Sequence, residues 1–129
     1  MPVLVALPVW AFIYLGAFGS RTNAAANDPV ARGNIVFHTA GCSGCHGANG
    51  EGGVGPALAG GDAVRTFPNI ADHISWVHTG GAPFIGKTYG AQGHTVSPNN
   101  VMPAFGQDHG GPLTDQQIQD VVAYERQGL

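Results

Sequence analysis

The chain has 129 residues, 10% of them charged, with a formal net charge of −3, six histidines and a single lysine, Lys87. Such a length holds one domain whose own hydrophobic core is marginal. So weak a charge balance excludes a nucleic-acid footprint and a polybasic membrane patch. Glycine, at 21 of 129 residues, exceeds twice its ordinary usage and clusters over 47–61, 80–93 and 106–111. Those clusters predict long loops that turn tightly or approach something flat at close range.

Val3 to Phe18 is apolar apart from the hydroxyl of Tyr14. As a helix, residues 1–20 would run roughly 30 Å, enough to cross the hydrocarbon core of a bilayer, with Pro8 kinking but not forbidding it. A retained transmembrane anchor is the preferred reading. An uncleaved secretory signal is the alternative: it would explain Ala24-Ala25-Ala26, but its start should carry positive charge and Met1-Pro2-Val3-Leu4 carries none. With no cysteine near residue 20, a bacterial lipoprotein anchor is excluded. Residues 21–27 read as a polar tether and 28–129 as the folded domain.

That domain opens with Asp28-Pro29, a cap followed by a residue that loses no hydrogen bond at the first helical position. The helix should run to about Thr39 with Val30, Gly33 and Phe37 on one face. Next comes Cys42-Ser43-Gly44-Cys45-His46, holding the only two cysteines of the chain. C-x-x-C-H is the attachment run for c-type haem: two thiols a turn apart add across the vinyl groups, and the neighbouring imidazole takes an axial position on the iron. A structural zinc would need two further ligands at similar spacing, a thioredoxin-type dithiol a surrounding βαβ pattern, and a disulfide here would close almost no loop. One covalent haem c, held by Cys42 and Cys45 with His46 as iron ligand, is the preferred reading.

A third helix is predicted over Pro68 to Thr79, with Ile70, Ile74 and Val77 on its inner face and Gly80 as its stop. His73 and His78 fall on different faces and read as surface or propionate-side residues. The segment from Gly81 to Asn100 is long; it either covers the haem edge or forms a docking surface through Phe84, Ile85 and Tyr89, or is a plain loop. Met102 is the only methionine besides Met1, and Pro103 stiffens the segment that presents it. Met102 is therefore the expected second axial ligand, giving a higher potential than two imidazoles would. Its competitors are His94 and His109, with His38, His73 and His78 harder to place. Thr114-Asp115-Gln116-Gln117 is a capping box opening the last helix, with Ile118, Val121 and Val122 facing inward.

Taken in order, C-x-x-C-H, Gly55-Pro56-Ala57-Leu58, Val101-Met102-Pro103-Ala104-Phe105-Gly106 and Leu113 to Tyr124 resemble the class I monohaem cytochromes c from about Asp28 to Arg126. The resemblance implies an all-α cytochrome c fold around one covalent haem. It implies that the carbonyl of Pro56 accepts from the second ring nitrogen of His46, and that Leu58 lies against the haem face. It further implies that Gly33 and Phe37 meet Tyr124 where the terminal helices cross. Trp76 is expected either to donate its indole N–H to a haem propionate or to pack in the core. The lysine ring of mitochondrial-type relatives is lacking, which implies weakly charged docking.

With both axial positions filled by the protein, the available chemistry is transfer of one electron, so the chain is expected to be a carrier and not an enzyme. Expected partners are the membrane, a quinol-oxidising complex or other donor, and a terminal oxidase or photosynthetic reaction centre as acceptor, with no nucleic acid. Because c-type haem is attached outside the cytoplasm, the domain is expected on the periplasmic or extracellular side of a bacterial cytoplasmic membrane. The alternative is a ligand-binding haem protein, a sensor or peroxidase-like, in which Met102 is displaceable.

Overall fold

The computed structural model describes residues 26–129. Its helices are α1 (Pro29–Thr39), α2 (Cys42–His46), α3 (Asp62–Thr66), α4 (Ile70–Thr79) and α5 (Asp115–Gln127). Single 3-10 turns occupy Ala82–Phe84 and Gln107–His109. The expected anchor over 1–20 and all but the last two residues of the tether lie outside the described residues. Among the described residues, no helix is long and apolar enough to cross a membrane.

Local chemistry sets the ends of α1 and α5 as their sequences predict. The Asp28 carboxylate accepts from the Val30 N–H at 3.0 Å, and Pro29 occupies the first turn. At α5 the Thr114 hydroxyl accepts from the Gln117 N–H at 3.2 Å while the Gln117 side chain accepts from the Thr114 N–H at 2.9 Å. The two helices then cross face to face. A Cβ built on Gly33 would overlap the backbone carbonyl of Asp120 and sit 2.7 Å from Tyr124 Cβ, so only glycine permits this approach. Phe37 meets Tyr124 edge to face, with ring centroids 5.4 Å apart. Ile118, Val121 and Val122 are completely buried behind them.

The crossing is also clamped by charge. Arg32 of α1 donates from Nε and Nη2 to the two oxygens of buried Asp120 at 2.8 Å each, and Gln116 adds a third bond at 3.0 Å. The guanidinium outweighs the cost of burial and holds the Asp120 carboxyl below the usual carboxylate range. A depressed carboxyl contributes stability above the ordinary carboxylate range and loses it as pH falls through the folded-state value. Asp120→Asn is therefore expected to lower the urea midpoint at neutral pH, with the gap to wild type closing as pH falls through the lowered folded-state value of the carboxyl.

In two respects the middle of the chain departs from expectation. Helix α4 begins at Ile70 because Asn69 takes the cap, its side chain accepting from Ala71 N–H at 2.9 Å. Its inner face is centred on His73 and Val77, one turn apart. Ile74 is only partly buried and Ile70, in the first turn, stays 46% exposed. The long loop after Gly80 also contains strand, which was not expected: β1 (Thr88–Tyr89) pairs antiparallel with β2 (His94–Thr95). Two-residue strands are too short to leave an alternating pattern.

Candidate functional site

Helix α2 is a single turn set between two glycines with positive φ, Gly41 at +89° and Gly47 at +90°. In a helix, residues three and four apart share a face, so one turn presents Cys42, Cys45 and His46 together. All three line a cavity of about 520 Å³, a volume suited to a cofactor. Leu58, Val77, Val96 and Phe105 supply apolar wall. Cys42 is buried there, and desolvation, reinforced by the charge of Glu125, pushes its thiol up to about 12. Unattached, it is a neutral thiol at physiological pH.

The imidazole of His46 is 8% exposed, with Nδ1 2.8 Å from the carbonyl oxygen of Pro56. A carbonyl only accepts, so Nδ1 carries the hydrogen and Nε2 keeps its lone pair for a metal. Gly55 makes room for the ring: a Cβ there would lie 2.8 Å from Cε1 and 2.9 Å from Nδ1. Gly55-Pro56 therefore does more than turn the chain.

Met102 lines the same cavity, and α4 positions it. Its carbonyl accepts from Gly81 N–H at 2.9 Å, and Phe105 N–H donates to the Val77 carbonyl at 3.0 Å. Gly80, with φ of +68°, leaves space for the Met102 carbonyl, which an added Cβ would approach to 2.7 Å. Trp76 lines the cavity too, but not as a donor left for a propionate: its indole Nε1 donates to Met102 Sδ at 3.1 Å. Trp76 stacks on Tyr89 at 3.9 Å between centroids and touches Phe84 at 5.3 Å, so the long loop forms one side of the site. Ile85, in contrast, is exposed.

Of the competing histidines, His94 bonds Gln92 and Thr66, His78 and His109 share Asp108, and His38 reaches the carbonyls of Asn34 and Ala48. None of these four lines the cavity. His73 does, and the expectation that it lies at the surface is corrected: it is 2% exposed, stacked on Phe67, with Nε2 2.8 Å from Glu125 Oε2. Glu125 was not anticipated at all. Its signal was its place on the stripe of Ile118, Val121 and Val122, where a charged residue is out of character.

Paired thiols on one helical face, an imidazole of fixed tautomer, a thioether and apolar walls together fit a haem. The sequence model of the cytochrome c family matches residues 30–127. The chain belongs to the cytochrome c family. Neither the curated proteins nor the solved structures gave a match. As a cytochrome c it carries haem c attached through Cys42 and Cys45, the only cysteines it has. In this cytochrome the mostly helical fold brings six of the expected site residues, Cys42, Cys45, His46, Leu58, Trp76 and Met102, to one cavity, with Pro56 both in its wall and bonded to His46.

Proposed function

We propose that this cytochrome c is a one-electron carrier whose iron is held by His46 on one side and Met102 on the other. The haem supplies a metal centre that changes charge by one. The protein supplies two axial donors that leave no position for a substrate. The observation carrying this reading is the placement of His46 Nε2, freed by the Nδ1 bond to Pro56, and of the Met102 sulfur on the same cavity, while four other histidines are engaged elsewhere. The deciding experiment is carbon monoxide binding to the reduced protein. Slow or no binding is expected; rapid binding with displacement of Met102 would favour a sensor or peroxidase-like role.

Trp76 acts here as a positioning residue on the sulfur. An indole N–H on Sδ draws density from the thioether and weakens its support of ferric iron more than that of ferrous. Trp76→Phe keeps the ring packing but loses the donor. Its midpoint potential is expected to fall by about 20–40 mV, the equivalent of ~0.5–1 kcal/mol for one electron. An unchanged potential with an unchanged oxidised spectrum would remove Trp76 from this role.

The apolar run over 1–20 supports a membrane setting, in which it tethers the haem domain to the outer face of a bacterial cytoplasmic membrane. There it takes electrons from a quinol-oxidising complex or similar donor and passes them to an oxidase or reaction centre, as a tethered carrier or fixed subunit. Apart from the buried Glu125, the cavity wall holds no lysine, arginine or acidic residue. Electron transfer to the partner is accordingly expected to change only weakly between low and moderate salt.

A further inference from the structure

His73 and Glu125 form a buried polar pair in an otherwise largely apolar cavity wall, their side chains 3% and 5% exposed. With Nε2 committed to Glu125 at 2.8 Å, His73 Nδ1 has no hydrogen-bond partner among the described residues, and it is the one buried side-chain atom there of which this is true. A buried polar atom left unpaired is costly, and a well-packed domain keeps few of them. If Nε2 donates to the carboxylate, Nδ1 is a bare lone pair; a proton arriving there makes an imidazolium already facing its counter-charge.

We propose that His73 and Glu125 are a redox-linked proton site, taking up one proton at His73 Nδ1 when the haem iron gains an electron. This rests on the one-electron carrier reading. The balance is simple: one electron enters from the donor, one proton enters from solvent, and no bond of the protein breaks. Adding the electron removes one positive charge from the cavity, and the pair then holds its proton more tightly. Charges separated by about the width of such a cavity, roughly 8–10 Å, couple by on the order of tenfold in an equilibrium constant at an effective dielectric of about 20. The other titratable groups lining the cavity are Cys42, Cys45 and His46 of α2 and Tyr89 of β1, and Asp72 of α4 and Arg126 of α5 adjoin the pair in sequence. In the holoprotein Cys42 is a thioether, and Arg126 is turned to the Phe67 and Pro68 carbonyls. Neither competes for the proton.

The test is the midpoint potential of the holoprotein measured against pH by spectropotentiometry, for wild type, His73→Phe and Glu125→Gln. Wild type is expected to fall in potential as pH rises, by about 59 mV in all across the transition, the one-electron equivalent of a tenfold change. His73→Phe should lose that part of the slope with its spectrum unchanged. Glu125→Gln removes the counter-charge and should move the fall to lower pH, which a merely structural role would not do. Should His73→Phe fail to fold, His73→Gln and Glu125→Gln make the same comparison. Slopes identical in wild type and variants, the residual haem carboxylates accounting for all of it, would overturn the proposal. Absence of any reversible one-electron couple would instead overturn the carrier reading.

Discussion

Met102→Ala is expected to retain its haem, lower its midpoint potential by on the order of 100 mV and bind carbon monoxide rapidly when reduced. A thioether is a soft ligand that favours ferrous over ferric iron, and its loss leaves that position to water. Attachment through Cys42 and Cys45 is untouched, so the protein should still be coloured. The change also strands the Trp76 indole N–H, whose acceptor at 3.1 Å is the deleted sulfur, adding a modest loss of stability. The control is His94→Ala. Its imidazole bonds Gln92 and Thr66 away from the cavity, and the spectrum should not move. A potential unchanged by Met102→Ala would mean that another residue holds the iron.

The second large effect concerns folding. Gly33→Ala is expected to cost about 3 kcal/mol or more and to lower the melting temperature of the holoprotein by about 10–20 °C. Overpacking usually costs ~1–3 kcal/mol when side chains can shift. Here the added carbon meets the backbone carbonyl of Asp120 as well as Tyr124 Cβ, and neither can rotate away. Relief requires α1 and α5 to move apart. That motion would loosen the Arg32–Asp120 bonds and the Phe37–Tyr124 contact together. Circular dichroism melts of the two holoproteins make the comparison. A shift within a degree or two would show that the crossing is not limited by Gly33.

Much of this architecture is written in local chemistry, and those parts read directly from the chain. Asp28-Pro29 and the Thr114 capping box identify helix starts because caps act within three residues. Cys42, Cys45 and His46 share a turn, so their spacing already contains their geometry. The family resemblance implies the meeting of Gly33 and Phe37 with Tyr124, and the contacts agree.

What escaped depends on partners distant in sequence. His73 and Glu125 are 52 residues apart, and a histidine in an amphipathic helix looks like a surface residue until its partner is known. From sequence Trp76 reads as a propionate donor or a core residue, because its acceptor, Met102, is 26 residues away. Ile70 follows the helical period but falls in the first turn, beyond the packed part of α4. The β1–β2 pair rests on two residues a side, fewer than any periodicity can register.

The central claim is that His46 and Met102 together close the iron, and proton NMR of the reduced holoprotein tests it most directly. The expected spectrum is diamagnetic, with the Met102 methyl driven far upfield by the porphyrin ring current. A paramagnetic reduced state, or a Met102 methyl at its ordinary position, would contradict it.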